Sequence, residues 1–390
     1  MKETLTRRQF VAAASVAGTA AAAPPVFAAD ESPALLGGKP AVTARFPKWP
    51  IFDQREEQAL IDAVRSGSWN RGTGKRVPQF EDAYAKLTGA PACVTSANGT
   101  NALFTGLNVA GVKAGDEVLV APFTFIATIN VIIRQHALPV FVDTDPETFL
   151  MDPRKIEPLV NERTRAIMPV HIGGSACDMD GIMAAARKHK LAVIEDAAQA
   201  WTAQWKGRNV GLWGDCGCFS FQASKNLNSG EGGAIISQNQ EFVERCHSFH
   251  NQGRALRGAA EFAYAMSGSN LRLSEFQAAI LLAQLTRFQE QDERRNANAA
   301  YLAGMLKEIP GVRQAKMYEG CTRNAYHLFL LHYDKNHFAG MSRAAFVKAI
   351  RAEGVPFGPG YSSLRNIAFL KDIPNDRAYK KLFQIGRAHV

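Results

Sequence analysis

The sequence predicts an α/β fold with a mostly parallel sheet that is covered by helices on both faces. Short apolar segments alternate with helical patterns from about residue 55 to residue 285, and this alternation is typical of parallel sheets. Helical patterns cover, for example, residues 79–87, 101–109 and 182–189. The strands are expected at residues 93–95, 117–121, 139–142, 166–170, 192–195, 218–221 and 234–237.

Two domains are predicted from the length of the chain and from a change of pattern near residue 285. A chain of 390 residues is too long for one small core. A long helical pattern covers residues 274–306, and a strand at 326–332 and a helix at 342–353 follow it. We therefore expect a large domain over residues 30–285, including a lead-in to residue 55, and a small domain over residues 286–390.

The first 29 residues have the pattern of an export signal. The twin-arginine pair Arg7-Arg8 precedes a run of apolar and small residues, and residues 26–28 could supply a cleavage site. An alanine-rich tail or an uncleaved anchor is the alternative interpretation. We expect export to the periplasm, with a cytoplasmic location as the alternative. The apolar run is short for a bilayer span, and we expect no transmembrane helix after it.

The composition is that of an ordinary enzyme and argues against nucleic acid as a partner. The formal net charge is +9, but the basic residues form no block and are not interleaved with aromatic residues. The six cysteines show no Cys-x-x-Cys pair and no zinc-type spacing. We therefore expect all six to be packing residues, with no disulfide and no metal site.

Lys225 follows an apolar, strand-like segment and precedes the glycine-rich residues 230–233. A lysine beside a buried strand loses its proton more easily, because desolvation disfavours the ammonium form. A neutral amine is the group that forms a Schiff base with an aldehyde cofactor, and glycines let the backbone turn closely around such a cofactor. A lone lysine in a loop is usually solvated, so this interpretation depends on the rest of the chain.

Two further clusters follow predicted strands, where open α/β sheets bind ligands. Residues 96–103 combine a glycine turn with a helix start, whose free N–H groups can hold a phosphate. An ordinary Asn-Gly turn with a threonine cap has the same pattern. Phe125 follows the strand at 117–121 and could stack on a heteroaromatic ring, although an aromatic residue at such a place is more often part of the core.

A third cluster begins with two adjacent carboxylates, Glu195 and Asp196, at the end of an apolar strand. Buried carboxylates need partners, and an aspartate that faces a pyridine nitrogen keeps it protonated, which makes the ring an electron sink. Gln199 could bond to a ring oxygen from the same turn. A helix N-terminus with favourably placed acids is the alternative. A phosphate cradle, a ring stacker, an acid and an amine together describe pyridoxal phosphate, with the Ser220 hydroxyl as a further phosphate ligand.

With these motifs the sequence resembles the DegT/StrS family of pyridoxal-phosphate-dependent sugar and cyclitol aminotransferases over about residues 35–370. The motifs, in chain order, are Asn98-Gly-Thr, Pro122-Phe-Thr-Phe, Val170-His, Glu195-Asp-Ala-Ala-Gln, Ser220-Phe-x-x-x-Lys, Gly230-Glu-Gly-Gly and Asn270-Leu-Arg-Leu-Ser-Glu. The resemblance implies the type I fold of pyridoxal-phosphate transferases, as in aspartate aminotransferase, and a homodimer with shared active sites.

The resemblance also implies a role for each site residue. Lys225 would bind the cofactor aldehyde and move protons between the α-carbon and the cofactor. Asp196 would pair with the pyridinium nitrogen and Gln199 with the ring oxygen, while Phe125 would stack on the ring. The phosphate ligands would be Gly99, Thr100, Asn101 and Ser220, together with Asn270 of the neighbouring subunit. The candidates for substrate contact are Gln222 and His171.

Three features depart from the pattern of many family members. Gln222 stands where nucleotide-sugar enzymes carry histidine or an aromatic residue, and glutamine resembles the cyclitol and aminohydroxybenzoate branch. Trp201 stands where histidine is usual, which would alter the substrate pocket. The chain ends at residues 385–390, where the family normally continues, so we expect a truncated small domain.

The sequence therefore predicts transfer of an amino group from L-glutamate or L-glutamine to a keto sugar or keto cyclitol, by two successive half-reactions. Another pyridoxal-phosphate reaction, such as sugar dehydration, is one alternative, but histidine replaces the lysine in that branch. A non-catalytic exported binding or sensing protein is the other alternative. The combination of Lys225, Asp196 and Phe125 favours an enzyme over a scaffold.

Overall fold

The computed structural model describes residues 32–255 and 263–383, so the predicted export signal and residues 385–390 lie outside the described part. The described residues form two compact units. The larger unit takes in residues 49–255, 263–298, 316–329 and 362–383. The smaller unit takes in residues 32–48, 299–315 and 330–361. This division differs from the boundary expected at residue 285, because the chain returns to the larger unit twice.

The strands, in chain order, are β1 Ala92–Ser96, β2 Glu117–Val120, β3 Leu138–Phe141, β4 Thr164–Met168, β5 Ala192–Asp196, β6 Gln204–Trp205, β7 Arg208–Asn209, β8 Cys216–Ser220, β9 Gly233–Ser237, β10 Val312–Gln314, β11 Cys321–Arg323 and β12 Leu331–Tyr333. The α-helices are α1 Gln54–Arg65, α2 Arg76–Thr88, α3 Gly99–Val109, α4 Ile126–Arg134, α5 Met179–His189, α6 Gln240–His250, α7 Glu275–Leu306, α8 Arg343–Ala352, α9 Ala368–Asp372 and α10 Arg377–Phe383.

Seven strands form the central sheet in the order β1-β9-β8-β5-β4-β2-β3. The pairs β8–β5, β5–β4, β4–β2 and β2–β3 are parallel, and β9 runs antiparallel to both of its neighbours. Every residue of β2, β8 and β9 is buried, as expected for strands that are covered on both faces. The predicted α/β class, with its mostly parallel sheet, is confirmed.

The carboxyl ends of the parallel strands lie at one edge of this sheet, and they carry the predicted site residues. The antiparallel strand β9 begins at the same edge, where Gly233 is paired with Ser96 of β1 and with Ser220 of β8. In the next strand, Asp196 is paired with Cys218 of β8. Residues that are far apart in sequence therefore meet at the edge where α/β sheets bind ligands.

Helix α3 follows β1 and has its N-terminus at this edge. Asn98 caps the helix, since its side-chain oxygen accepts a hydrogen bond from the Asn101 N–H at 2.9 Å. The helix packs on β8 through Gly106, where an added Cβ would lie 2.9 Å from the Cys216 Sγ. A larger residue at this position would push the helix away from the sheet.

No residue at the start of helix α2 caps it with its side chain, and the side chain of Glu275 on α7 caps it instead. The Glu275 carboxylate accepts hydrogen bonds from the N–H groups of Arg76 and Val77 at 2.8 and 3.0 Å. A Cβ on Gly74 would lie 2.0 Å from this carboxylate carbon, so Gly74 leaves room for the contact. Helix α7 is thus joined to the start of the sheet domain.

In the smaller unit, β10 pairs antiparallel with β12, and Ser342 caps α8. The Glu353 carboxylate accepts hydrogen bonds from the Ala34 and Ala41 N–H groups at 2.8 and 2.9 Å, which joins the lead-in to the end of α8. The predicted helix at 342–353 is confirmed.

The strand predicted at residues 326–332 is wrong over most of its length, because only Leu331–Tyr333 is a strand. Tyr326 has a φ of 46°, and its N–H is bonded to the Asn324 side chain at 2.8 Å. The Leu328 N–H donates to the Gly173 carbonyl. These contacts hold the segment in a turn beside the larger unit's sheet.

The final described residues, 362–383, pack within the larger unit. The Tyr379 hydroxyl donates to the carbonyls of Ile133 and Ala137, and the Leu364 N–H donates to the Pro122 carbonyl at 2.8 Å. No helix within residues 32–255 and 263–383 has the length and apolar character to cross a bilayer.

Candidate active site

Asp196 ends β5 at the ligand-binding edge of the sheet, and its side chain is 5% exposed. One carboxylate oxygen accepts a hydrogen bond from the Thr128 hydroxyl at 2.8 Å, and the other accepts one from the Ala198 N–H at 3.1 Å. Burial raises the pKa of this carboxyl, and the Thr128 hydrogen bond opposes the rise. A cation next to Asp196 would offset the cost of burying its charge.

Lys225 lies in the turn after β8, where its N–H donates to the Gln222 carbonyl at 2.8 Å. Its ammonium nitrogen lies 5.9 Å from the centre of the Trp201 ring. Within the described residues no carboxylate lies within ion-pair distance of this nitrogen. Burial lowers the pKa of Lys225, and the charge of Asp196 partly opposes this effect. The neutral amine that a cofactor aldehyde requires is therefore favoured.

The N-terminus of α3 supplies a cradle for an anion. The N–H groups of Asn101 and Ala102 are bonded to the Asn98 side chain and carbonyl, so those of Gly99 and Thr100 are the ones that precede the first intrahelical bond. An added Cβ on Gly99 would lie 2.7 Å from the Ser220 Cβ. Because the helix start and Ser220 approach so closely, their N–H and hydroxyl groups can hold one phosphate together.

Phe125 lies at the end of the turn after β2, and Gln199 lies in the turn after β5. Phe125 immediately precedes α4 and is 58% exposed, so its ring is available to stack on a ligand. The Gln199 side-chain oxygen accepts a hydrogen bond from the Gly173 N–H at 2.8 Å. This bond directs the amide nitrogen of Gln199 to act as donor, as a cofactor ring oxygen would require.

His171, a predicted substrate contact, instead lies in the core, where it is 0% exposed. Its Nε2 lies 3.0 Å from a Glu195 oxygen, and its Nδ1 accepts a hydrogen bond from the Cys177 N–H at 3.1 Å. Both ring nitrogens are therefore bound to the protein, and the structure gives His171 no access to a substrate. The sequence could not distinguish this support role from a contact in the pocket.

Glu195 has a structural role, so the two adjacent carboxylates Glu195 and Asp196 serve different purposes. It is 0% exposed, and it accepts hydrogen bonds from the N–H groups of Gly211, Trp213 and Gly214 at 2.7 to 2.8 Å, besides the His171 contact. Successive strand residues point to opposite faces. Asp196 is therefore directed to the ligand side, and Glu195 fixes the loop that precedes β8.

Trp201 and His327 form a pair beside Lys225 that the sequence did not predict. Trp201 is fully buried, its ring centre lies 5.7 Å from that of His327, and its indole N–H has no acceptor among the described residues. His327 Nδ1 lies 3.4 Å from the Asn226 side-chain oxygen. Burial and the neighbouring charges of Lys225 and Arg295 lower the pKa of His327 to about 3, so its ring is neutral. The apolar run around His327 gave no signal beyond that of a strand.

The side chains of two further predicted residues are bonded elsewhere in the protein or lie in a backbone bridge. The Gln222 side-chain oxygen accepts hydrogen bonds from the Ser224 N–H and hydroxyl at 2.8 and 2.7 Å, so it shapes the turn that carries Lys225. Asn270 forms an isolated antiparallel bridge with Asn251. A contact of Asn270 with the phosphate of a neighbouring subunit stays a prediction.

The six cysteines are free thiols; Cys93 is partly buried and the other five are buried. Burial raises the pKa of Cys93, Cys177, Cys218, Cys246 and Cys321, so these thiols stay protonated. The structure therefore places them as packing residues, as the sequence predicts.

The residues at this edge fit pyridoxal phosphate. Asp196 would face the ring nitrogen, Lys225 would hold the aldehyde carbon, and the start of α3 with Ser220 would hold the phosphate. A buried carboxylate with no ion-pair partner among the described residues, a buried amine with a lowered pKa and a close-packed N–H cradle are the three groups this cofactor needs. The fold and site define a pyridoxal-phosphate-dependent aminotransferase.

The comparisons with known proteins agree with this class. The chain belongs to the DegT/DnrJ/EryC1/StrS aminotransferase family, whose model matches residues 50–380. The L-glutamine:2-deoxy-scyllo-inosose aminotransferase of Streptomyces fradiae is 37% identical over 374 residues, which cover 91% of this chain and 86% of that protein. The L-glutamine:scyllo-inosose aminotransferase of Streptomyces griseus is 36% identical, with 83% and 79% covered.

The crystal structure of 3-amino-5-hydroxybenzoic acid synthase superposes on this chain with a TM-score of 0.78 at 33% identity. The superposition covers 84% of this chain and 85% of that one. Fold, family and cofactor class thus follow from independent observations.

Proposed function

We propose that this enzyme transfers the amino group of L-glutamine to a keto cyclitol, with L-glutamate as the alternative donor and a keto sugar as the alternative acceptor. The observation that carries the proposal is the placement of Lys225, a buried amine beside Asp196 and Trp201, at the edge of a family fold. The names of the two Streptomyces relatives, at 37% and 36% identity, support glutamine and an inosose-type ketone.

The residues divide the chemistry between them. When it is bound, the cofactor supplies an electron sink that carries the amino group between the two half-reactions. Asp196 holds the proton on the ring nitrogen, and the Thr128 hydroxyl orients the carboxylate. The Lys225 amine would hold and release the proton that moves at the α-carbon, and burial favours this role because it lowers the pKa of the amine.

We propose that His327, which contacts the Trp201 ring, contributes to the acceptor's side of the site. A cyclitol presents several hydroxyl groups, and a neutral imidazole can both donate to and accept from a hydroxyl. The ring of Trp201 is fully buried and packs behind His327, so it shapes this side of the site without a hydrogen bond to the acceptor. A dehydratase is disfavoured by the presence of Lys225, since histidine replaces it in that branch.

A homodimer and export by the twin-arginine route are part of the same proposal. The family resemblance supports the dimer through Asn270, and sedimentation at equilibrium tests it by giving either twice the chain mass or a monomer. Arg7 and Arg8 with the apolar run support export. Replacement of both arginines by lysine should block export. If the protein stays in the cytoplasm whether or not the arginines are replaced, the proposal of export is wrong.

The half-reactions can be measured separately with the purified holoenzyme. L-Glutamine should convert the visible absorption of the bound cofactor to that of its amine form, and a keto cyclitol such as scyllo-inosose should restore it and yield an amino cyclitol by mass spectrometry. The same measurements are made with L-glutamate as the donor and with a nucleotide-linked keto sugar as the acceptor. Amination of the keto sugar alone would refute the cyclitol assignment, and no spectral change with either donor would refute both donors.

A further inference from the structure

Arg295 of helix α7 lies beside the group formed by Lys225, Trp201 and His327, and the chemistry described so far gives it no role. Its positive charge, like that of Lys225, reaches His327 and helps to lower the pKa of that ring. Two cationic side chains therefore act on one neutral imidazole at this edge of the sheet. Because Lys225 is needed for the cofactor aldehyde, Arg295 is a cation that remains for a substrate.

A buried carboxylate on α7 holds Arg295 in this place. Asp292 lies one helical turn before Arg295, on the same face of the helix, and it is 2% exposed. Its Oδ2 accepts hydrogen bonds from the Thr202 hydroxyl at 3.1 Å and from the Arg323 Nε at 3.2 Å. Thr202 and Arg323 belong to the two segments that carry the indole and imidazole rings, so this turn of α7 is bonded to both segments.

The guanidinium of Arg295 is stacked on an aromatic ring, and its central carbon lies 5.1 Å from the centre of the Trp49 ring. Within residues 32–255 and 263–383 it has neither an ion-pair partner nor a hydrogen-bond acceptor. Burial lowers the pKa of Arg295, and the charge of Asp292 opposes this effect. The residue as a whole is partly exposed, so a ligand can approach it. An anion that pairs with this charge would offset the cost of its partial burial.

The two substrates of the proposed reaction differ in the group that a guanidinium recognises. An amino acid donor carries an α-carboxylate, whereas a keto cyclitol carries a ketone and hydroxyl groups. A guanidinium binds a carboxylate through two parallel hydrogen bonds, because its planar fork matches the two oxygens. Stacking on Trp49 limits the orientations of the fork, which lowers the entropy that is lost on binding.

We propose that Arg295 binds the α-carboxylate of the donor amino acid through a two-pronged ion pair and thereby helps to select the donor. This inference rests on the proposed function, because it requires an amino acid as the donor. The bound carboxylate would compensate the excess of positive charge that Lys225 and Arg295 place around His327. The two half-reactions should therefore depend on Arg295 to different extents.

Titration calorimetry of the holoenzyme with glutaramate tests the contact without any reaction. Glutaramate is L-glutamine without its amino group, so it carries the carboxylate and the amide but cannot act as a donor. Arg295→Gln should weaken its binding by roughly tenfold, which corresponds to about 1.4 kcal/mol. Arg294→Gln is the matched control, because Arg294 is the neighbouring residue on α7, is 72% exposed and pairs with Glu290. This control should bind glutaramate as the parent does.

The two half-reactions provide the second measurement, from the visible absorption of the bound cofactor. In Arg295→Gln the concentration of L-glutamine that gives half of the maximal rate should rise by roughly tenfold. The rate at which a keto cyclitol reverses the change should differ from that of the parent by less than about twofold, since this substrate has no carboxylate. Arg295→Lys keeps the charge but removes the fork, so it should weaken glutaramate binding by a smaller factor.

Parental binding of glutaramate in Arg295→Gln would overturn the inference, as would equal losses in the two half-reactions, which would indicate a structural role. If Arg295→Gln does not fold with its cofactor, Arg295→Lys replaces it, and parental glutaramate binding in that variant would refute the two-pronged contact. A parent enzyme that responds to neither donor refutes the proposed donors themselves. A responsive parent with an unchanged Arg295→Gln protein overturns this inference alone.

Discussion

Burial acts in opposite directions on the two charged side chains of the active site. It lowers the pKa of Lys225 and raises the pKa of Asp196, and the attraction between the two charges only partly opposes each effect. Both side chains are therefore biased toward their neutral forms in the protein alone. A protonated pyridine ring next to Asp196 would restore its negative charge, so cofactor binding and ionisation of this carboxyl are linked.

Replacement of Lys225 by alanine should abolish covalent attachment of the cofactor and lower turnover by at least a thousandfold, because the amine both binds the aldehyde and moves the proton. Borohydride reduction followed by mass spectrometry of the peptide measures the attachment. Lys348→Ala, an exposed lysine of α8, is the control and should retain it. A covalent adduct in the Lys225→Ala protein would show that another lysine holds the cofactor.

Among individual residues, the sequence indicated those that combine a reactive or charged side chain with a position directly after a predicted strand. Lys225, Asp196 and the Gly99 turn were predicted in this way, and the structure brings them to one edge of the sheet. His327 was missed because its approach to Trp201 joins segments more than a hundred residues apart. His171 was misplaced, since sequence does not reveal which face of a turn a side chain takes.

At the scale of elements, Glu195 connects β5 to the loop that precedes β8. A single carboxylate satisfies three backbone N–H groups and one imidazole in a region without exposure. Such a group stabilises the fold only while every partner is present, because an unpaired buried donor costs about 1–3 kcal/mol. The loop and the strand should therefore lose order together.

Glu195→Gln tests this connection. The amide nitrogen would face N–H donors that need an acceptor, so the free energy of unfolding should fall by about 2–4 kcal/mol. Urea denaturation of the cofactor-free protein gives this quantity. Glu308→Gln, an exposed site after α7, should change it by less than about 0.5 kcal/mol. Equal stability of the Glu195→Gln protein and the parent would mean that the loop is held by other contacts.

The strands of the main sheet could be predicted because they are continuous apolar runs that end in glycine or polar turns. Strands β6, β7, β10 and β11 were not predicted, since two or three residues are too few to show a period. The segment 326–332 looked like a strand because of its aromatic residues, but a left-handed Tyr326 and the bond to Gly173 keep it in a turn. Tertiary contacts decided its conformation.

At the scale of the whole molecule, two buried histidines make stability depend on pH. The pKa values of His250 and His327 are lowered from 6.5 to about 3, chiefly by burial. The unfolded chain therefore binds these protons first as the pH falls. Stability should be complete above about pH 6.5 and should decline progressively between about pH 6.5 and pH 3.

His250→Gln should reduce this acid sensitivity, because one of the two protonation penalties is removed. His247, Arg71 and Arg272 surround His250, and their positive charges increase its penalty. The slope of the unfolding free energy against pH, from urea denaturation between pH 4 and 6.5, is the measurement. It should become shallower in His250→Gln but not in His337→Gln, an exposed site. An unchanged slope in both variants would contradict the assignment.

The division of the chain into two units was the least predictable feature. A boundary near residue 285 follows from the change of sequence pattern, but helix α7 continues through it and residues 316–329 and 362–383 return to the larger unit. The return of residues 362–383 depends on the Tyr379 hydroxyl and the Leu364 N–H, each bonded to a carbonyl that any residue could provide. Because every residue has a backbone carbonyl, the sequence does not reveal which carbonyl will accept such a bond.

This return has a consequence for synthesis on the ribosome. The partners of Tyr379 in the larger unit, Ile133 and Ala137, are made more than two hundred residues earlier than Tyr379 itself. The first sheet strands can pair while translation continues, but this part of their covering layer arrives only after the smaller unit's residues have emerged. Until then we expect the part of the larger unit around Ile133 and Ala137 to lack this layer. A chaperone that binds exposed apolar segments is expected to bind the nascent chain at this stage.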